Sequence, residues 1–262
     1  MADALRAPIM GAMSAQGKSS LFTRGLRLIL LAMHLLRGLL TVALLFPFYA
    51  RSQQSRAVRF WSGGLLHILG VRVRVQGEMS PVRPLMIVAN HVSWLDIFVL
   101  NAVTPVRFVA KSEIRRWPAI GWLSARTGTL FIERGRRRDA ARVGGLIAEA
   151  MRNGDVVAVF PEGTTTDGSQ VLRFHSSLLQ PALAAEAGVQ PVALRFERSD
   201  GSLCVEAAYD GDKSLWHTLL QIVGRKEICA RMHFLPLLQA GAADRRALAD
   251  AAQAAIVSRL TN

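Results

Sequence analysis

Cysteine is nearly absent from this chain of 262 residues: Cys204 and Cys229 are the two it has. Two dispersed thiols exclude a disulfide scaffold and a zinc ribbon, and they fit a reducing, cytosol-facing environment. Acidic side chains are also scarce, 19 against 32 basic, for a formal net charge of +13. Internal repeats, long linkers and low-complexity tracts are missing. The 21 Gly and 10 Pro follow no period, which excludes a collagen-like chain, and 51% apolar composition excludes disorder. There is no Gly-x-Ser-x-Gly elbow of a serine hydrolase. Gly11 to Ser19 superficially suggests a phosphate loop, but five residues separate its glycines and no strand precedes it. The length fits one or two domains with one large core.

The charge present is concentrated in two places. Residues 1–60 hold eight basic side chains and one acid, a balance of +7, and residues 107–152 hold eleven and four, again +7. Nucleic acid, an anionic bilayer and a phosphorylated substrate are the partners such patches attract. No basic stretch is interleaved with aromatics, and an apolar segment lies inside the first patch, which argues against nucleic acid.

That segment, Leu28 to Tyr49, is interrupted by His34, Arg37 and Thr41 alone among polar side chains. At about 1.5 Å per residue a helix of this length matches a hydrocarbon layer of roughly 30 Å. Arg37 at its middle and arginines at both ends fit a helix lying in the interface, or a hairpin bent near Pro47, better than a span. A buried helix of a soluble domain is the remaining alternative. The expected organisation is a basic tail over 1–25, a membrane-associated helical segment over 26–62 and the main folded domain over 63–262.

Behind it, strand and helix patterns alternate. Val71, Val73 and Val75 alternate with polar residues as in a half-exposed strand, and Leu85 to Ala89 is continuously apolar, as in a strand covered on both faces. Further strands are expected at 106–110, 129–132, 156–160, 192–196, 203–207 and 228–234. Helices are expected at 91–101, 114–125 (interrupted near Pro118), 138–151, 177–187 and 215–223, with a last one through Leu248 to Leu260. The expected fold class is α/β: a single domain with a central mixed, mostly parallel sheet flanked by helices, preceded by an N-terminal membrane-associated helix or helical hairpin.

Three strand ends carry chemistry. Asn90-His91-Val92-Ser93-Trp94-Leu95-Asp96 follows the apolar strand, where open α/β sheets place ligand chemistry. On an ideal helix His91 and Asp96 would point about 140° apart, so contact requires the entering turn to fold back. If it does, Asp96 fixes the imidazole tautomer and leaves the other ring nitrogen to take a proton from a hydroxyl. The alternative is a capping histidine beside a solvated acid. Phe160 to Gly168 runs a buried strand into a carboxylate and a row of hydroxyls suited to a polar head group, or into an ordinary acidic turn. Gly128 to Gly135 puts Arg134 at a strand end, as a bidentate phosphate ligand or a solvated turn.

Together these blocks resemble the glycerophospholipid acyltransferase family, whose bacterial members acylate lysophosphatidic acid. Asn90, His91 and Asp96 match its Asn-His-x4-Asp block. Gly128, Phe131, Ile132 and Arg134 match its Gly-x2-Phe-Ile-x-Arg block, and Phe160 to Thr164 match Phe-Pro-Glu-Gly-Thr. Gln190, Pro191 and Val192 match a later Val-Pro-Val block with one change. The resemblance covers roughly residues 70 to 195. It implies that His91 is the general base, oriented by Asp96, and that Lys111, Arg134, Glu162, Gly163 and Thr164 hold the acceptor. It implies no metal and no cofactor, with acyl-CoA or acyl carrier protein as co-substrate, and an active site on the cytosolic face of the inner membrane. The implied reaction acylates 1-acyl-sn-glycerol-3-phosphate to phosphatidic acid. Two positions depart from the pattern of many phosphatidate-forming members: Thr165 stands where they carry Arg, and His175-Ser176-Ser177 lacks the lysine and glycine of a later segment. A different acceptor, such as a lyso-ornithine lipid, is the alternative these positions raise; a non-catalytic membrane scaffold is the remote one.

Overall fold

The computed structural model describes residues 17–132, 137–239 and 244–261, the side chains of 137–140 excepted. The apolar segment forms a helical hairpin. α1 (Leu21–Leu40) starts on Ser20, whose hydroxyl accepts the Thr23 amide at 3.1 Å. It continues through a widened turn (Thr41–Leu45) and a tight one (Phe46–Phe48). Pro47 lies in that tight turn, and α2 (Arg51–Leu69) returns along α1. The bend is therefore where Pro47 led us to expect it. The hairpin runs from Leu21 to Leu69, beyond both ends of 26–62, because the last turns of α2 bury Leu65, Leu66 and Leu69 in the core of the following domain. Gly70, at φ 75°, ends α2 in the left-handed conformation that glycine adopts without strain.

The two helices interlock around a pair of rings. His34 stacks on Trp61 with centroids 4.9 Å apart; Trp61 Nε1 donates to the His34 carbonyl at 3.0 Å, and His34 Nε2 bonds the Trp61 carbonyl at 2.8 Å. Gly38 and Gly64 make room: a Cβ would lie 2.5 Å from the Trp61 ring at the first and 2.7 Å from the His34 ring at the second.

The domain is built on one eight-stranded sheet. Its strands are β1 (Val71–Gln76), β2 (Leu85–Ala89), β3 (Arg107–Lys111), β4 (Leu130–Ile132), β5 (Val156–Val159), β6 (Gly188–Glu197), β7 (Ile228–Phe234) and β8 (Leu238–Gln239). The order is β1-β7-β6-β2-β5-β3-β4, with β8 also on β6. β6, β2, β5, β3 and β4 are mutually parallel; β7 and β8 run antiparallel to β6. β2 is central and buried along its whole length. Its Ile87 and Ala89 face the cluster built with α2 and α3 (Leu95–Val103). Its Met86 and Val88 face the cluster built with α5 (Arg137–Arg152), α6 (Gln180–Ala184) and α8 (Arg245–Thr261). Connections running in opposite directions along the sheet place their helices on opposite faces, as right-handed crossovers require.

Three expectations shift. The helix expected from His91 begins at Leu95, because the amides before it are held by the Asp96 carboxylate. The helix expected over 114–125 divides into a 3-10 turn (Ser112–Arg116) and α4 (Ile120–Arg126), on either side of Pro118. The strand expected over 203–207 is corrected: Leu203 makes one isolated bridge to Glu197, and the chain then turns. Pairing stops there because the chain bends at once: the Ala207 amide bonds the Cys204 carbonyl and the Ala208 amide that of Val205.

Candidate active site

The parallel arrangement brings the C-terminal ends of β2, β5, β3 and β4 to one edge; His91 and Asp96 come after β2, Glu162, Gly163 and Thr164 after β5, and Lys111 closes β3. Past Ala89, sheet pairing gives way to Asn90, a buried side chain whose Nδ2 donates to the Leu194 carbonyl at 2.9 Å while its Oδ1 accepts the Leu194 amide at 2.7 Å. This pins β2's exit to β6 and releases the chain into a non-helical turn.

In that turn His91 and Asp96 meet, with Nδ1 of His91 2.8 Å from Asp96 Oδ2. The same oxygen accepts the amides of Val92 at 2.8 Å and Ser93 at 2.9 Å. Asp96 is fully buried, and three donors converge on one oxygen, so the carboxylate holds both the ring and the backbone that carries it. The His91 ring stacks on Phe160 at 4.0 Å between centroids, and Phe160 stacks in turn on Phe108 at 6.0 Å. The imidazole side chain retains 20% exposure. Its Nδ1 is committed to Asp96, and Nε2 remains as the nitrogen able to accept a proton from a bound hydroxyl.

Glu162 lies one turn beyond β5. Its Oε1 accepts the His91 amide at 2.7 Å and its Oε2 accepts the Leu172 amide at 2.7 Å, with the residue 4% exposed. Burial raises the carboxyl above its ordinary value, against the opposing pull of the Leu172 and His91 amides. Both oxygens are thus engaged by backbone. The loop following Glu162 is bound to the His91 turn a second time, by the Thr166 amide on the His91 carbonyl at 3.0 Å. Gly163 takes φ 70° and donates its amide to the Phe160 carbonyl at 3.1 Å; Thr164 is exposed at the edge. Lys111 ends β3 and is exposed. With β5 between β3 and β2, it stands about 10 Å from the β2 end by ordinary strand spacing. Arg134 lies outside the described residues.

Several residues at this site carried no signal of their own in the sequence. Asn90 and Phe160 lay inside the matched blocks without an assigned role. Tyr209 is far outside them, yet its amide bonds the Val92 carbonyl at 2.9 Å and its carbonyl accepts the Thr165 hydroxyl. The turn after Leu203 is what delivers it. Among the described residues no three His, Cys, Asp or Glu side chains stand together as a metal site.

The chain is similar to known proteins in sequence and in fold. The family model described as acyltransferase matches residues 72–195. A lyso-ornithine lipid O-acyltransferase of Pseudomonas aeruginosa is 39% identical over 203 residues, 78% of each chain. A 1-acyl-sn-glycerol-3-phosphate acyltransferase of Neisseria meningitidis is 36% identical over 245 residues, 90% of this chain and 92% of that one. The crystal structure of the 1-acyl-sn-glycerophosphate (LPA) acyltransferase PlsC from Thermotoga maritima superposes with a TM-score of 0.67 over 91% of this chain and 96% of that one. At 18% identity that likeness establishes the shared fold.

Proposed function

The chain belongs to the acyltransferase family that contains the 1-acyl-sn-glycerol-3-phosphate and lyso-ornithine lipid acyltransferases, and from that premise we propose that it acylates the free hydroxyl of 1-acyl-sn-glycerol-3-phosphate with an acyl thioester. The observation that carries the chemistry is the His91–Asp96 pair at the C-terminal edge of the sheet. His91 Nε2 takes the proton of the acceptor hydroxyl as its oxygen attacks the thioester carbonyl. The tetrahedral intermediate collapses, the C–S bond breaks, and the imidazolium returns its proton to the departing thiolate of CoA or acyl carrier protein. Asp96 holds the tautomer in which Nε2 is the acceptor and stabilises the imidazolium while it exists. No metal or cofactor takes part. For the acceptor's phosphate, Lys111, Gly163 and Thr164 are taken from this edge of the sheet, and Arg134 from the sequence resemblance alone; Glu162, both oxygens bonded to backbone amides, is read as positioning His91 instead.

A second reading of the acceptor has a specific basis. The Thr165 hydroxyl is tied to the Tyr209 carbonyl and supplies no charge to the head group. A lyso-ornithine lipid needs less cationic character there, and the Pseudomonas relative is named for that substrate.

α1 supports a reading of where the reaction takes place. Among the described residues Leu21–Phe48 is the helical stretch long and apolar enough to cross a bilayer. Its outer side exposes Leu21, Phe22, Ile29, Met33, Leu36, Leu40, Leu44 and Phe48. Because its other side is locked to α2, and α2 is rooted in the core, α1 lies against the membrane from one side. With cytosolic acyl donors this is the inner face of the cytoplasmic membrane.

One experiment tests both parts. Purified enzyme is offered 1-acyl-sn-glycerol-3-phosphate and lyso-ornithine lipid side by side with an acyl thioester, and products are read by mass spectrometry. Phosphatidic acid is expected; product from lyso-ornithine lipid alone overturns the acceptor assignment. His91→Ala is expected to lower turnover by at least about 10²- to 10⁴-fold with an unchanged circular dichroism spectrum. Near-normal turnover in that variant refutes the mechanism.

A further inference from the structure

The connection between β3 and β4 is built in a way that acyl transfer does not use. The 3-10 turn Ser112–Arg116 folds back on α4 so closely that a Cβ at the buried Gly121 would lie 2.4 Å from the Arg115 carbonyl. Trp117, Ile120 and Trp122 are exposed beside exposed Arg115, Arg116 and Arg126, an alternation of ring and cation that corrects the reading of the basic regions as free of interleaved aromatics. Two of the cations lie against rings: the Arg126 guanidinium is 5.7 Å from the centre of Trp122, and that of Arg115 is 5.8 Å from the centre of Phe131. Contiguous exposed aromatics rimmed by cations mark an interaction surface.

The location of this surface indicates what it meets. Leu130 and Ile132 pack toward the α5 side of the sheet, so Phe131 between them points to the other side, where Arg115 covers it. The segment therefore shares the face of the sheet that carries α3, α2 and α1. Its far end adjoins the hairpin bend: Arg126, Thr127 and Gly128 line one cavity with Phe46 and Arg51. A polar chain joins the two, from Arg51 to Asp155 at 3.6 Å, Asp155 to Arg107 at 2.9 Å, and Arg107 Nε to the Gly128 carbonyl at 2.8 Å. Its near end follows directly on Lys111, at the edge that carries the His91 turn.

We propose that Ser112–Arg126 is a second bilayer-docking surface, fitted to anionic phospholipid, with its aromatic side chains at the boundary of head groups and acyl chains and its arginines among the phosphates. Trp and Arg are the side chains that divide themselves between those two levels. The inference rests on the reading of α1 as bilayer-facing. Helix α1 alone leaves the domain free to roll about its axis; a second line of contact removes that freedom and turns the Lys111 end of the sheet toward the lipid. An acidic carrier protein would satisfy the arginines but leave three large apolar side chains without a role.

The test places an environment-sensitive fluorophore at Ile120→Cys in the full chain carrying Cys229→Ser. The same label at Val257→Cys, exposed on α8 across the sheet, is the control. Vesicles of phosphatidylcholine with and without phosphatidylglycerol are added in the absence of any acyl donor, so a chain with no transferase activity reads the same. Expected is a blue shift at position 120 and none at 257, stronger with phosphatidylglycerol. Arg116→Glu should raise the vesicle concentration for half-maximal shift about fivefold per unit of charge changed. A label at 120 that stays aqueous while the protein sediments with vesicles overturns the proposal, as does a response to acyl carrier protein without lipid. Failure to sediment at all refutes the reading of α1, and this proposal with it.

Discussion

Replacing Glu162 with glutamine separates two roles for the same carboxylate. Its two oxygens accept the His91 and Leu172 amides, each at 2.7 Å, in a buried position. A charge-assisted bond of this kind contributes about 1.5–3 kcal/mol. Glutamine keeps one acceptor and presents an NH2 group to the other amide, so one bond is lost and two donors face each other. The variant escapes part of the desolvation cost that raises the native carboxyl, which limits the loss of global stability. The local loss falls on the turn carrying His91. If about 2–3 kcal/mol is lost there, the aligned state of His91 becomes a minor one, and turnover falls by about 10²-fold. Steady-state kinetics in mixed micelles, with the acceptor varied at saturating thioester, should show a depressed kcat and a KM for the acceptor within about threefold of wild type. A head-group ligand would behave in the opposite way. A KM raised tenfold or more with kcat preserved would refute the positioning role and restore Glu162 to the binding surface.

Two further outcomes follow from the contacts. Gly38→Ala places a Cβ 2.5 Å from Trp61 and must displace the ring that bonds the His34 carbonyl. The cost is about 1–3 kcal/mol, or roughly 2–8 °C in Tm by scanning calorimetry in detergent. Gly25→Ala, with nothing within 4 Å of its Cβ, is the matched control, and equal Tm values for the two variants would contradict the interlock. Glu206 governs a pH effect. Burial alone would raise its carboxyl, but the hydrogen bonds from Arg198 and Arg225 outweigh burial and hold it at about 2, below its ordinary 4.5. Its folded pKa being depressed, its contribution to stability is complete above about pH 4.5 and is lost as the pH falls toward about 2. Glu206→Gln should be less stable at neutral pH, with a Tm that falls less steeply on acidification; parallel Tm–pH curves would sink this assignment.

Sequence by itself determined the elements whose signal is local. The unbroken apolar run of β2 follows from burial on both faces. The alternation of β1 follows from a strand half exposed, and the bend at Pro47 from a residue that cannot continue a helix. The candidate residues were equally legible, because His91 and Glu162 come just past the ends of apolar strands, where a carboxylate or imidazole serves no packing purpose, and Asp96 opens the helix that follows the first of them. Tertiary structure decided what each of them touches. The His91–Asp96 contact exists because Asp96 captures the amides of Val92 and Ser93 and delays the helix to Leu95, a choice that helical periodicity could not express. Glu162, expected as a head-group ligand, has both oxygens on backbone amides, and on that ground we propose it as support of the His91 turn. Its partner His91 reaches it only once β2 and β5 are paired in register, and its partner Leu172 only once the loop after β5 folds back. The stretch after Leu203 reads as a strand, yet its Ala207 and Ala208 amides bond the Cys204 and Val205 carbonyls, and the turn so closed is what carries Tyr209 to the site. Patterning along the chain records which face a residue shows; which amide meets which carboxylate depends on strand register and on how the loops between strands close, and only the assembled domain sets those.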